Sequence, residues 1–164
     1  AADGVPPAGV QHLPASEPFC PTLRSYLGGA LAAQGRPYAP RGTVVVINGP
    51  RFSTKAESAW YVSGGADIIS MTQYPEPVLA AELNMGFANL SFITDSDTGH
   101  DGSEAVTADA VFARLKKAQH NILAVLEDTI AAITEDYLPR PLMAETAVAR
   151  IMALPAAPDA VSVL

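Results

Sequence analysis

Five consecutive residues, Thr43-Val-Val-Val-Ile47, all branch at Cβ. Such side chains lose rotamer freedom in a helix and pack well on a pleated surface, so the run predicts a strand. It shows no polar alternation, which is the pattern of a strand buried on both faces of a helix-covered parallel sheet. Helical patterns flank it. Pro21 suits a first turn, Leu23, Leu27 and Leu31 keep helical spacing, and Gly35 is a natural stop. Asn48-Gly-Pro-Arg-Phe52 reads as a turn, Thr54 and Glu57 stand at capping-box spacing, and Gly64-Gly65 ends that helix. Ala66–Met71 predicts a second strand. Pro75 opens another helix, with Val78, Leu79 and Leu83 inward and Gly86 closing it, and Phe87–Thr94 predicts a third strand. Strands and helices alternating over short links imply an α/β fold, a βαβαβ unit of parallel or mixed sheet with right-handed crossovers.

A long helix follows, expected over Glu104–Thr134. Val111, Leu115, Ala118, Ile122, Leu126, Ile130 and Ile133 recur every three or four positions. Its length would be on the order of 45 Å, long for a domain of this size, so part of it is expected to pack on something this chain does not supply. Residues 138–164 form a tail, with a short helical pattern at 144–153 and no legible chemistry. The chain thus divides into 1–137 and 138–164. Three strands make a thin sheet, and the architecture resembles half of something.

Length and composition bound the class. With 164 residues, one domain burying about 70% of its unfolded surface is expected. An apolar fraction of 49% and a net charge of −7 describe a globular protein with no nucleic-acid surface. No apolar run reaches the roughly 20 residues of a membrane span. Cys20 is the single cysteine, so no internal disulfide is possible and a reducing cytoplasm fits. The opening Ala-Ala-Asp-Gly-Val-Pro-Pro, without Met, reads as a processed, truncated or rejoined end.

Chemistry points to the end of the third expected strand. Asp95 and Asp97 follow it one residue apart, and Phe92 and Ile93 imply burial right up to them. Ligands of open α/β sheets sit beyond the carboxyl ends of strands. A polar strand-to-loop turn is the plain alternative. His100 and Asp101 lie nearby, but adjacent loop residues without a second His or Cys do not make a metal site. Glu57 and Glu76 stand in first helical turns, where capping explains them. Cys20 is expected to be buried beside Phe19 and inert.

Four ordered segments carry a resemblance. They are His12-Leu-Pro-Ala-Ser-Glu-Pro-Phe-Cys-Pro21, Gly49-Pro-Arg-Phe-Ser-Thr-Lys-Ala-Glu-Ser58, Gly65-Ala-Asp-Ile-Ile-Ser-Met-Thr-Gln-Tyr-Pro-Glu76 and Thr94-Asp-Ser-Asp97. Together, over about residues 10 to 134, they resemble the C-terminal half of the purine nucleoside phosphorylase superfamily, trimeric type, in its 5′-methylthioadenosine branch. The resemblance implies phosphorolysis of methylthioadenosine or a related 6-aminopurine nucleoside, giving adenine and a sugar 1-phosphate. Inorganic phosphate would be the co-substrate and no other cofactor is implied.

Roles follow position by position. Phe52 matches the aromatic packed against the purine, Met71 the residue lining the ribose, and Thr72 one that helps hold phosphate. Asp95 matches the residue facing the imidazole-ring nitrogen of the leaving base, and Asp97 the one facing the exocyclic amine. His12 matches a histidine reaching across a trimer interface to the neighbour's substrate. Ala108, Val111 and Phe112 match the apolar wall around the methylthio group. Phe52 and Met71 also suit plain packing, and His12 also suits a surface ring.

The chemistry agrees with these roles. Negative charge develops on the departing base, and a carboxylic acid beside its ring nitrogen can donate a proton. Asp95 must then carry a proton, which a second carboxylate nearby and exclusion of water both favour. The branch acting on 6-oxopurines places Glu directly after the motif Phe and Asn at the first acid position. Ser53 and Asp95 stand there in this chain, which favours a 6-aminopurine.

The match also departs from the family. Its main phosphate machinery, a Gly-rich turn and an Arg-His loop, belongs to the N-terminal half, and this sequence has neither motif. Thr72 alone cannot orient a dianionic nucleophile. Three accounts fit: a separate or cleaved chain that docks to complete the site, a sequence that is one part of a longer protein, or a homologue without catalysis. The partners implied are a nucleoside and phosphate, within a homotrimer or a hetero-oligomer containing the N-terminal half. A hydrolase of the same fold and a non-catalytic subunit are the alternatives.

Overall fold

The computed structural model describes residues 12–98 and 106–153. Its elements run α1 (Pro21–Ala33), β1 (Val44–Val46), α2 (Lys55–Ser63), β2 (Ile68–Ser70), α3 (Glu76–Glu82), α4 (Ala108–Ala132) and α5 (Glu145–Met152). The strands β1 and β2 pair in parallel, with Val44 opposite Ile68, Val45 opposite Ile69 and Val46 opposite Ser70. The ladder is extended by Asp67 N–H on the Thr43 carbonyl at 2.9 Å and Ile47 N–H on the Ser70 carbonyl at 2.8 Å. The expected βαβ unit around α2 is therefore present.

The expected third strand is not formed. Residues 87–94 join no ladder among the described residues, and the sheet has two strands. Strand geometry needs a hydrogen-bonded neighbour, and among the described residues no strand pairs with this segment. The expected burial before Asp95 fails for the same reason, since Phe92 is 46% and Ile93 60% exposed. Likewise β1 is only half covered, with Val46 exposed rather than buried on both faces.

Local signals set the helix ends. The Thr54 hydroxyl accepts from Glu57 N–H while the Glu57 carboxylate accepts from Thr54 N–H, the reciprocal capping box. Gly35 follows α1 with a left-handed φ of +64°, which suits a residue without Cβ. The α3 stop is Asn84 rather than Gly86, because the chain turns left-handed at Asn84 (φ +54°) directly after the Leu83 cap. Asn84 then holds the tail: its amide accepts from Leu142 and Met143 N–H at 2.8 and 2.7 Å and donates to the Met143 carbonyl at 2.9 Å.

The buried centre lies where α4 crosses α1. Leu27 and Ala30 meet a face of α4 on which Ala118, Val125 and Thr129 are buried. Polar links flank it, Gln34 Nε2 to Asp128 at 2.6 Å and Arg36 Nη2 to Asn121 at 3.0 Å. The helix α4 has 25 residues, so it spans about 37 Å. Its expected start at Glu104 lies outside the described residues. Of its other apolar face, Phe112, Leu115, Leu123 and Ile130 remain exposed. The short helix expected at 144–153 is α5, capped by Ala144 and Ala153.

Cys20 is half-buried rather than buried. Its thiol is hydrogen-bonded to the Tyr137 hydroxyl at 3.4 Å, and Phe19 stacks near Phe87 with centroids 6.1 Å apart. Burial pushes the thiol up, but Tyr137 and the N–H groups of Leu23 and Thr22 at the start of α1 outweigh it and hold the thiol below its usual range. Burial, then the bond to Cys20, pushes Tyr137 up to about 12. No described helix is long and apolar enough to cross a membrane.

Candidate functional site

Three chain segments end on one side of the sheet, at the carboxyl ends of β1, of β2 and of residues 87–94. The turn after β1 runs through Gly49 to Phe52, and the one after β2 through Met71 and Thr72. A Cβ added at Gly49 would come within 3.3 Å of the Met71 sulfur, so glycine permits the close approach of the two turns. Both turns contain a cis X–Pro bond, Gly49-Pro50 and Tyr74-Pro75.

The third segment is tied to the first by hydroxyls. Ser53 Oγ donates to Asp97 Oδ1 at 2.9 Å, and Ser58 Oγ donates to Asp97 Oδ2. The two serine oxygens are 3.0 Å apart. Ser58 sits on α2 and is 0% exposed. Asp97 itself adopts a left-handed φ of +54°, a conformation Asp tolerates better than most residues. Its N–H donates to Asp95 Oδ1 at 2.8 Å, while Asp95 Oδ2 accepts from the Thr94 hydroxyl at 2.6 Å. From α4, the Arg114 guanidinium donates to the Thr94 carbonyl, fixing the backbone just before Asp95.

The expected site residues thus divide. Asp95 and Asp97 belong to one bonded cluster, anchored to the loop of Phe52 through its neighbour Ser53. Phe52 and Met71 are 41% and 38% exposed, so neither is a core side chain here. The Thr72 hydroxyl and N–H lie 3.3 and 3.1 Å from Ser70 Oγ at the end of β2. Ala108, Val111 and Phe112 share one face of the first turns of α4, with Phe112 66% exposed. His12 is exposed and has no hydrogen bond or ion pair to this cluster. His100 and Asp101 lie outside the described residues.

Three contributions were not legible in the sequence. Ser58 looks like any helical serine until the fold brings Asp97 to it. Arg114 reads as a solvated face of a helix. Glu57 does the expected capping but also takes a two-pronged bond from Arg51, Nη1 to Oε2 at 2.9 Å and Nη2 to Oε1 at 2.7 Å. The Arg51 guanidinium, then the Thr54 N–H, pulls Glu57 down from the usual 4.5 to about 2.

One cavity lies away from these residues. It measures about 600 Å³ and is lined by Leu27, Leu31, Val44, Ile68, Phe92 and Val125 among others, with none of Phe52, Met71, Thr72, Asp95 or Asp97. Arg24, Arg36, Arg41, Asp67 and Asn121 also line it.

Residues 2–131 match the sequence profile of the Phosphorylase superfamily. The chain is 45% identical over 111 residues to the S-methyl-5′-thioadenosine phosphorylase of Mycolicibacterium smegmatis, a match covering 67% of this chain and 40% of that protein. It is 38% identical over 117 residues to the 6-oxopurine nucleoside phosphorylase of Pyrococcus furiosus, covering 71% and 44%. Among solved structures it resembles the methylthioadenosine phosphorylase of Schistosoma mansoni in complex with adenine, with a TM-score of 0.74 and 31% identity over 79% of this chain and 51% of that one. The chain spans about half the length of the relatives it matches or less. Sequence profile, curated relatives and backbone shape agree: the chain belongs to the Phosphorylase superfamily.

Proposed function

We propose that this chain supplies the nucleoside-binding part of a purine nucleoside phosphorylase acting on 5′-methylthioadenosine or a related 6-aminopurine nucleoside. One observation carries the reading: two carboxylates one residue apart, with the Asp97 N–H donating to Asp95 and the Asp97 carboxylate anchored by Ser53 and by Ser58 of α2. Support also comes from the methylthioadenosine phosphorylases among its relatives.

In the reaction, a phosphate oxygen bonds to the anomeric carbon as the bond from that carbon to the purine nitrogen breaks. Adenine leaves with a proton on its imidazole ring, and the sugar leaves as its 1-phosphate. Asp95 is the proton donor. Its Oδ1 accepts from the Asp97 N–H, which leaves Oδ2, beside the Thr94 hydroxyl, as the oxygen that would pass a proton to the base. Asp97 accepts from the exocyclic amine, Phe52 stacks on the purine, and Met71 lines the ribose. Ala108, Val111 and Phe112 surround the 5′ substituent, and His12 serves the substrate of a neighbouring subunit.

Thr72 contributes to the phosphate side, and phosphate is the co-substrate with no further cofactor. The remaining phosphate groups come from the part of the family fold that this chain does not span, within a homotrimer or a hetero-oligomer. A cytoplasmic setting suits the single cysteine. Replacing Asp95 by Asn tests the reading. It should cut turnover by ~100-fold or more with the fold intact, because amide cannot donate an acidic proton. Unchanged turnover would remove Asp95 from the chemistry.

A further inference from the structure

Ser58 is the one fully buried polar side chain of the site among the described residues, and of the positions assigned to substrate its hydroxyl bonds Asp97 alone. Its surroundings are Ser53 Oγ and the Asp97 carboxylate. The proton inventory there is short. Each serine hydroxyl has a single hydrogen, and the two are directed at separate oxygens of Asp97. The Asp97 N–H is directed at Asp95. The hydrogens of Ser53, Ser58 and the Asp97 N–H are thus all engaged, and the lone pairs that remain on the Asp97 carboxylate are acceptors. The carboxylate cannot turn without breaking a bond to a side chain that is 0% exposed.

We propose that Ser58 is a positioning residue that sets which purines the site accepts, by fixing Asp97 as a pure acceptor. The inference rests on the reading that Asp97 faces the exocyclic position of the base. A 6-amino group brings the hydrogen that such a carboxylate needs. A 6-oxo group brings a second acceptor, and two facing acceptors with no hydrogen between them are a costly mismatch. Ser53 alone holds Asp97 by one oxygen, so the carboxylate could rotate about that bond or take up a proton and donate to an oxo group. Ser58 closes that option from within α2, on the side away from the ligand.

The test measures binding of adenine and of hypoxanthine to the complete, assembled protein by calorimetric titration, for the wild type, Ser58→Ala, Ser58→Thr and Asp97→Ala. The ratio of the two affinities is the readout, since loss of folded protein changes both alike. In Ser58→Ala that ratio should fall by at least about tenfold, mostly through better hypoxanthine binding, as the loss of one charge-assisted bond implies. Ser58→Thr, which keeps the hydroxyl, should restore most of it. If Asp97→Ala collapses the ratio while Ser58→Ala leaves it unchanged or weakens both bases equally, Ser58 has only a structural role and the proposal is wrong. If Asp97→Ala leaves the ratio unchanged, the amine-facing role of Asp97 fails and the Ser58 proposal fails with it. If Ser58→Ala cannot be obtained folded, Ser58→Cys takes its place, and an unchanged ratio there is equally fatal.

Discussion

Ser53 and Asp97 are hydrogen-bonded side chain to side chain at 2.9 Å, across 44 positions of sequence. That bond joins the turn that carries Phe52 to the turn that carries both carboxylates. The turn with the carboxylates is not preceded by a paired strand, because residues 87–94 form no ladder among the described residues. The placement of Asp95 and Asp97 beside the Phe52 turn therefore depends on side-chain bonds, while β1 and β2 carry the other two turns.

Ser53→Ala should weaken adenine binding by roughly tenfold, since a hydrogen bond to a charged group contributes about 1.5–3 kcal/mol and Ser58 retains part of the hold. The loss should appear in KM more than in kcat, because Asp95 keeps both its bonds. Steady-state kinetics check it, and a loss confined to kcat would place Ser53 on the proton-transfer side instead.

Glu57 makes stability depend on acid. Its carboxyl lies near 2 instead of the usual 4.5, held down by Arg51 and by the Thr54 N–H. A depressed carboxyl stabilises the fold above its ordinary value, and that stabilisation is lost as pH falls through the window from about 4.5 to about 2. The melting temperature of the wild type should drop across that window, and Glu57→Gln should flatten that drop while lowering the melting temperature at pH 7. Melts at five or six pH values decide it. Because the pair is solvent-exposed, high salt should shrink the difference between the two proteins.

Gly86 is packed where no side chain fits. A Cβ there would lie 1.9 Å from the Tyr137 hydroxyl and 3.1 Å from Leu23 Cδ1. Gly86→Ala should therefore destabilise by about 1–3 kcal/mol, the usual cost of overpacking. It should also free the Cys20 thiol from Tyr137, which thiol-labelling kinetics would register as a changed rate. Adding Tyr137→Phe should recover stability in part, as it removes the clashing oxygen.

Much of this was written in local sequence. The capping box at Thr54 and Glu57, the β-branched run at 43–47 and the small helix at 144–153 all formed where their residue types predict. What failed depends on neighbours. Residues 87–94 have the composition of a strand, but pairing comes from another strand, and none pairs with them among the described residues. Phe92 and Ile93 of this unpaired segment are exposed and line the 600 Å³ cavity. Gly86 reads as a helix stop, yet Asn84 turns left-handed two residues earlier and leaves the glycine for close packing. At the site, Asp95 and Asp97 were visible because two acids follow an apolar run. Ser58 was not, since a serine inside a helix carries no sign of a carboxylate 39 residues away.

The most direct measurement is adenine release from 5′-methylthioadenosine by the complete protein, with and without inorganic phosphate, with the sugar product identified. Release that requires phosphate and yields the sugar 1-phosphate is the predicted result. Equal release without phosphate, yielding free sugar, would replace the phosphorylase by a hydrolase of the same fold. No release in either condition would contradict the enzymatic account altogether.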